Sequence, residues 1–180
     1  ASPDLSGVKV RMGDFAEDQL GRAMNKAELV ADIVTTWIKR GEGRPTFCFA
    51  VDCAHAQAIQ GQFNAAGIPA GYIDAYTEVR HREAMIEQLR NGELKVICNV
   101  GTMTTGVDAP FVSCIILARP TKSEMLFLQI IGRSHTLECR RVAIPIELGK
   151  RQCDQLLRKL TRRRSPRRQL VTRCVTRLRA

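Results

Sequence analysis

The sequence is poor in the features that mark membrane proteins, disulfide-rich proteins and aromatic nucleic-acid binders. No apolar run approaches 18 residues, so neither a membrane-spanning helix nor a membrane partner is predicted. The seven cysteines include no Cys-x-x-Cys pair, which indicates free thiols in a reducing cytoplasm and no zinc or other metal site. Aromatic residues make up 5% of the chain, which argues against binding of single strands mainly by base stacking. The length, 180 residues, suffices for one domain with a core, with room for an extension.

Three phosphate-binding motifs are also missing. The sequence has no Gly-x-x-x-x-Gly-Lys-Ser/Thr loop and no Asp-Glu-x-His/Asp box, so it lacks the lysine that grips phosphate and the acid that holds Mg²⁺. It has no Gly-x-Gly-x-x-Gly after its first buried strand, which argues against a Rossmann-type dinucleotide enzyme. The first residues, Ala1 to Asp4, resemble neither a signal peptide nor an initiation site, so we expect a fragment or processed piece of a longer protein.

The positive charge is confined to the end of the chain. The net charge of +10 conceals two unlike parts. Residues 1–133 carry 14 Lys/Arg and 15 Asp/Glu, whereas residues 134–180 carry 14 Lys/Arg and 3 Asp/Glu, a net of +11. We therefore predict a domain boundary close to Arg133, followed by a basic C-terminal extension.

Short apolar runs alternate with amphipathic segments from residue 25 onward. The runs predict buried strands at 46–51, 70–73, 95–100 and 112–118. The amphipathic segments predict helices at 25–40, 55–66 and 77–91, and a fourth helix that begins at Ser123. This alternation indicates an α/β fold in which a parallel sheet has helices on both faces.

The residues at the helix ends refine these predictions. Asn25 and Glu28 form a capping-box pattern at the start of the first helix, and Thr77 is a candidate cap for the third. Gly67 and Gly92 are placed to end two helices in the left-handed conformation. Residues 1–24 are predicted to be a lead-in, with a short strand at 8–11.

A loop of small residues follows the third strand. It runs from Val100 to Pro110 and supplies bare backbone N–H groups, hydroxyls and one carboxylate, a mixture suited to phosphate and sugar. Gln129 and Arg133 are four residues apart, so both can lie on one face of the last helix. Ligands of parallel sheets bind beyond the carboxyl ends of the strands, where this loop is predicted to lie.

These two segments resemble a known pair of motifs. Thr-Thr-Gly-Val-Asp-Ala-Pro, residues 104–110, resembles motif V of superfamily 2 helicases, and Gln-Ile-Ile-Gly-Arg, residues 129–133, resembles the start of their motif VI. The resemblance runs from about Asp4 to Arg133 and is closest to DEAD/DEAH-type helicases of phages and of type I and III restriction enzymes. It implies a RecA-like domain, the second of the two in such enzymes, over residues 25–133.

The resemblance also implies roles for individual residues. It places Asp108 and Gly106 at the nucleotide, Arg133 as the arginine finger that reaches the γ-phosphate, and Gln129 beside the finger as a second catalytic residue. It places Thr102, Thr104, His55 and Arg82 at the nucleic acid. Each has a simpler alternative: a turn at 106–108, an ion pair at Arg133, helix or loop caps at Gln129 and the threonines, and structural roles for His55 and Arg82.

The function implied is that of the C-terminal motor lobe of an ATP-dependent DNA or RNA helicase or translocase. The expected cofactor is ATP with Mg²⁺, bound only together with the missing N-terminal RecA-like lobe, so the chain alone is expected to be inactive. The expected partners are that lobe and DNA or RNA, in the cytoplasm of a bacterium or as a phage product. The alternative is a non-enzymatic module that binds nucleic acid through its basic tail.

The tail departs from the resemblance. Motif VI usually continues Gly-Arg-x-x-Arg, but Thr136 stands where the second arginine is expected. Residues 142–146 could form a short edge strand and residues 148–160 a basic helix. Residues 134–180 are expected to be non-native or frameshifted, with a genuine basic arm as the rival interpretation.

Overall fold

Five parallel strands form the centre of the computed structural model, which describes residues 3–104, 109–131 and 141–143. The strands are β3 (Thr46–Phe49), β4 (Ala70–Ile73), β5 (Val96–Asn99), β6 (Cys114–Leu117) and β7 (Arg141–Ala143). Their order across the sheet is β4-β5-β3-β6-β7, and every pairing is parallel. This confirms the predicted α/β RecA-like fold.

Helices cover both faces of the sheet, as predicted. The helices are α1 (Glu17–Met24), α2 (Ala27–Arg40), α3 (Cys53–Ala65), α4 (Val79–Asn91) and α5 (Glu124–Ile131). Side chains alternate along a strand, so Phe47 and Phe49 of β3 face one way and Cys48 faces the other. The first face packs against α4 and α5, and the second packs against α2 and α3. Because both faces are covered, β3 reads in the sequence as an unbroken apolar run.

The helix ends confirm some of the predicted signals. Gly67 and Gly92 both have a positive φ, and Gly92 ends α4 in the left-handed conformation. Ser123 caps α5, because its Oγ accepts a hydrogen bond from Leu126 N at 3.2 Å. Helix α3 begins two residues earlier than expected because Asp52 caps it.

Two predicted caps are wrong. Asn25 does not begin α2; it ends α1, and Lys26 precedes α2 without a side-chain cap. Thr77 does not cap α4, because its hydroxyl is bonded to the Asp74 carboxylate and the helix begins after Glu78. In both cases a neighbouring segment, the end of α1 or the turn at Asp74, uses the residue that the local pattern assigned to the helix.

The lead-in is folded and packs on the domain. The predicted strand at 8–11 is present as β1 (Val10–Arg11), which pairs antiparallel with β2 (Asp14–Phe15). Helix α1 was not predicted. Its buried residues Leu20 and Met24 form a third apolar cluster with Leu5, Phe15 and Val51, the last of which follows β3. Residues 3–24 therefore cover the end of β3.

The sheet extends past the predicted boundary at Arg133. Strand β7 lies at the expected edge position and pairs with β6. The boundary itself, and the predicted helix at 148–160, lie outside the described residues and stay predictions. No helix within the described ranges is long and apolar enough to cross a membrane. Four cysteines lie in those ranges and none forms a disulfide there: Cys48, Cys98 and Cys114, which are buried, and Cys53, which is exposed.

Candidate functional site

The carboxyl ends of four neighbouring strands gather the segments of interest at one edge of the sheet. Because the strands are parallel, the residues that follow β4, β5, β3 and β6 leave from the same edge, in that order across the sheet. Arg82 lies beyond β4, Thr102 beyond β5, His55 beyond β3, and Gln129 beyond β6. The predicted site residues that the structure describes therefore come from adjacent loops and helices.

Thr102 lies in a single 3₁₀ turn, Thr102–Thr104, directly after β5. Gly101 reverses the chain there with a φ of 67°, a conformation that favours glycine. The Thr102 hydroxyl is buried, and no partner for it exists within the described part of the chain. Because this hydroxyl is buried, a phosphate would reach it only after the turn shifts, so the contact between Thr102 and nucleic acid stays a prediction. The backbone of Thr104 belongs to the same turn, but the position of its side chain lies outside what the structure describes.

Helix α5 packs directly on that turn. Met103 is fully buried and joins Phe127 and Ile130 of α5 in the core cluster of the first sheet face. Gln129 lies between these two core residues in the sequence and is exposed, so its amide is free to reach a ligand. The structure thus joins the turn that leads into the motif V-like segment to the helix that carries Gln129 by a buried apolar contact.

Arg82 holds the loop between β4 and α4. Its Nη2 donates hydrogen bonds to the backbone oxygens of Asp74 and Thr77, at 3.3 and 3.2 Å. The side chain is half-buried, and its Nε has no hydrogen-bond partner in the described structure. These bonds favour the structural alternative for Arg82, while a nucleic-acid contact stays a prediction.

His55 is completely buried in the first turn of α3. Its Nδ1 accepts a hydrogen bond from Val51 N at 3.4 Å. Burial lowers the pKa of His55 to about 4, although the nearby Asp52 opposes this shift, so the ring is neutral at physiological pH. A direct contact between this ring and nucleic acid is not available in this conformation. The geometry favours the structural alternative.

Three of the most specific predictions lie outside the described residues. Gly106 and Asp108 fall in the gap at 105–108, and Arg133 falls in the gap at 132–140. Their roles at the nucleotide therefore stay predictions. Helix α5 ends at Ile131, two residues before Arg133 in the sequence. Within the described ranges, no three His, Cys, Asp or Glu side chains gather as metal ligands.

Asp74, which was not predicted, organises the loop beyond β4. Its carboxylate accepts hydrogen bonds from the backbone N–H groups of Tyr76 and Thr77 and from the Thr77 hydroxyl, each at 2.9 Å. The Tyr72 hydroxyl donates to the same carboxylate and, with the other bonds, lowers the pKa of Asp74. These residues line an open cavity of about 430 Å³. The Asp-x-x-Thr spacing, which is typical of a turn, was the available signal.

Asn99, also not predicted, ends β5 at the same edge. The side chain is fully buried, and its amide nitrogen donates to Cys48 O at 2.9 Å, across to β3. A polar residue near the end of an apolar run, two residues before the loop glycine Gly101, was the sequence signal for this role. The bond fixes the strand end from which the Thr102–Thr104 turn starts.

Comparison with known proteins assigns this domain to a family. Residues 25–137 match the helicase conserved C-terminal domain. The chain belongs to that family. A 51.5 kDa protein of a Lactococcus phage is 34% identical over 146 residues, which are 81% of this chain and 32% of the phage protein. A Saccharomyces cerevisiae protein that carries the name "Putative ATP-dependent helicase IRC3" is 38% identical over 133 residues. These residues are 72% of this chain and 19% of the yeast protein. The chain thus spans about a third and a fifth of these relatives.

Solved structures support the fold of this helicase domain. The C-terminal domain of the DEAD-box protein Dbp5 matches with a TM-score of 0.60 and 19% identity, over 78% of this chain and 83% of that one. The E. coli DEAD-box protein SrmB matches with a TM-score of 0.62 and 16% identity, over 75% of this chain and 81% of that one. Together with the family match over residues 25–137, these structures confirm the predicted RecA-like fold of a helicase C-terminal domain.

Proposed function

We propose that the chain is the C-terminal motor lobe of an ATP-dependent helicase or translocase. In this role it supplies motifs V and VI to an ATP site that lies between two lobes. It also forms one wall of a nucleic-acid groove. The observation that carries the proposal is the packing of α5 on the Thr102–Thr104 turn through Met103. This contact connects the Thr102–Thr104 turn, which we assign to nucleic-acid binding, with the helix that precedes Arg133 in the sequence. A shift of the turn should therefore move the helix as well.

The residues of the lobe divide between two ligands. Arg133, Gln129, Gly106 and Asp108 serve the nucleotide, and Arg133 offers a fixed fork of donors to the γ-phosphate. Thr102 and Thr104 serve the nucleic-acid backbone, since a threonine hydroxyl is a suitable donor to phosphate oxygen. The exposed amide of Gln129 fits its role, whereas the buried hydroxyl of Thr102 becomes accessible only if the Thr102–Thr104 turn shifts. Arg82 acts mainly by holding its loop in place.

The N-terminal lobe supplies the other half of the ATP site. The lysine that grips phosphate and the acid that holds Mg²⁺ are both missing from this sequence. ATP with Mg²⁺ therefore binds in the cleft between two lobes, where an arginine from this one stabilises the charge of the transition state. The isolated chain is expected to have no ATPase activity.

ATPase measurements on the two-lobed protein test this proposal. Arg133→Ala should lower kcat by about 10³-fold, in the range that arginine fingers contribute in other NTPases. Arg44→Ala is the matched control, because Arg44 precedes β3 at the opposite end of the strands and pairs with Glu42 at 2.8 Å, so kcat should stay unchanged. An unchanged kcat in Arg133→Ala, or ATPase activity of the isolated chain above that of its own Arg133→Ala variant, would refute the proposal.

The choice between DNA and RNA needs a second measurement. Dbp5 of S. cerevisiae, at 18% identity, has been solved bound to RNA and ADP BeF₃, whereas a more similar relative is an EcoKI type I restriction enzyme subunit, at 27% identity over 138 residues. Stimulation of the ATPase by single-stranded DNA, duplex DNA and RNA of equal length will identify the nucleic acid. The similarity to the restriction enzyme subunit leads us to expect DNA, and stimulation by RNA alone would contradict this expectation.

The basic tail carries a second candidate function. A net charge of +11 over residues 134–180 would bind phosphates without sequence preference and with a steep dependence on salt. Truncation at Arg133 would also remove β7, so replacement of Arg162, Arg163 and Arg164 by glutamine is the cleaner test. If these changes abolish nucleic-acid binding while Thr102→Val leaves it intact, the tail and not the lobe is the binding element.

A further inference from the structure

The lead-in is bonded to the segment that begins α5. Asp14 of β2 accepts a hydrogen bond from the Thr121 hydroxyl through Oδ2, at 2.6 Å, and another from Lys122 N through Oδ1, at 2.8 Å. The partners in these two bonds are separated by 107 and 108 positions in the sequence. Asp14 is half-buried and Thr121 is 5% exposed, so the contact is shielded from water on at least one side.

Two neighbouring contacts reinforce this attachment. Glu17, in the first turn of α1, forms an ion pair with Arg119 at 2.9 Å. The Lys122 ammonium lies 4.8 Å from the ring centroid of Phe15, a cation–π contact. The side chains of Asp14, Phe15 and Glu17 therefore contact residues 119–122, which lie in the connection between β6 and α5.

The hydrogen bonds continue without a break into α5. Thr121 Oγ1 donates to Asp14 and accepts from Ser123 N at 3.0 Å, so its orientation is fixed from both sides. Ser123 Oγ in turn caps the helix at Leu126 N. Asp14, Thr121 and Ser123 thus form a chain of bonds that sets the start of α5 and its direction.

We propose that Asp14 is a positioning residue for catalysis, which acts through Thr121 and the start of α5 on the placement of Gln129 and Arg133. The inference rests on the proposed function, because it assigns Asp14 to the same interlobe ATP site. A charged group delivered across a cleft tolerates little displacement, since an error of about 1 Å in placement can cost about 100-fold in rate. The core contacts of Phe127 and Ile130 hold α5 against the sheet, whereas Asp14 fixes its first turn.

The first test uses the present chain and amide hydrogen exchange. In Asp14→Ala, the amides of residues 127–131 should exchange about tenfold faster, while those of α3 on the opposite sheet face stay unchanged. Asp18→Ala is the matched control, because the contact of Asp18 with Arg11, at 4.0 Å, is exposed and lies away from α5, and it should alter neither region. Unchanged exchange in α5, or equal acceleration in both helices, would overturn the inference.

The second test uses the two-lobed protein and ATPase kinetics. Asp14→Ala and Thr121→Val should each lower kcat about tenfold with the KM for ATP within twofold, and the double variant should lose no more than either one. In an Arg133→Ala background, Asp14→Ala should have no further effect, because the residue acts through that arginine. An additional loss there, or an unchanged kcat in Asp14→Ala alone, would overturn the catalytic role.

The two tests separate this inference from the proposed function. If Arg133→Ala leaves kcat unchanged, the proposed function fails, and the catalytic role of Asp14 fails with it. The exchange measurement still decides whether Asp14 fixes α5. If Arg133→Ala lowers kcat and Asp14→Ala does not, only the present inference fails.

Discussion

Gly21 is the position where helix propensity and tertiary contact make opposite predictions. It lies inside α1, where alanine would ordinarily add about 1 kcal/mol of stability over glycine. A β-carbon on Gly21, however, would overlap the Asp52 carboxylate, with Asp52 Cγ at 3.0 Å. Asp52 would have to turn away and would lose the bond by which it caps α3 at His55 N.

The expected magnitude follows from these two terms. Loss of the Asp52 cap costs about 1 kcal/mol and up to about 2 kcal/mol, which offsets or exceeds the gain from alanine. Gly21→Ala should therefore change the free energy of unfolding by between zero and about −1 kcal/mol. The matched control is Gly61→Ala in α3, where a β-carbon meets nothing within 4 Å and the full gain of about 1 kcal/mol should appear.

Urea unfolding of four variants tests this reasoning. The variants are Gly21→Ala, Gly61→Ala, Asp52→Ala and the double variant Gly21→Ala/Asp52→Ala. Once Asp52 is truncated the overlap is gone, so Gly21→Ala should stabilise that background by about 1 kcal/mol, as Gly61→Ala stabilises the original chain. If Gly21→Ala stabilises the original chain as much as Gly61→Ala does, with unchanged denaturant slope, the predicted contact between α1 and Asp52 is refuted.

Three further predictions concern stability. Trp37→Phe should lower the free energy of unfolding by about 1–2 kcal/mol, because the indole N–H donates to Thr46 Oγ1 at 2.8 Å in the core. Urea unfolding measures this loss, which should be smaller in a Thr46→Val background. Burial lowers the pKa of His55 from 6.5 to about 4, so between these pH values the unfolded chain binds a proton that the folded chain does not. Stability measured by thermal unfolding should therefore fall by up to about 3 kcal/mol as the pH drops from about 6.5 to about 4; His55→Asn should flatten that fall, and the exposed His81→Asn should not. Gly92→Ala should cost about 1 kcal/mol in urea unfolding, because the residue has a φ of 83° and its β-carbon would meet only Lys95 Nζ at 3.5 Å, so backbone strain alone sets the cost.

The strands and main helices could be predicted from the sequence because their signals are local. Each buried strand is a short apolar run between turn residues, and Gly67 and Gly92 end helices where only glycine is unstrained. The parallel order then brings the loops after β4, β5, β3 and β6 to one edge without further information. For the same reason the position of Thr102 at this edge could be predicted from the chain order.

The lead-in could not be predicted, because the interactions that fold it are distant in sequence. Leu20 and Met24 are buried against Val51, and Asp14 is bonded to Thr121, more than 100 residues away. The local pattern around Asn25 resembles the start of a helix, but in the structure this residue ends α1. His55 shows the same limit, since its burial depends on packing that its neighbours in the sequence do not reveal.

The parallel register of the sheet places three cysteine thiols on one buried face, where their reactivity can report on opening of the sheet. Cys48 lies opposite Cys98 on β5, while Cys114 of β6 lies opposite Thr46, so three thiols share the face that α2 and α3 cover. A hydrogen bond with Cys98 and burial raise the pKa of the Cys48 thiol, which disfavours the reactive thiolate. Alkylation of these three cysteines, followed by peptide mass spectrometry, will therefore proceed only as fast as the sheet opens. The exposed Cys53 provides the reference rate for unhindered reaction within the same sample.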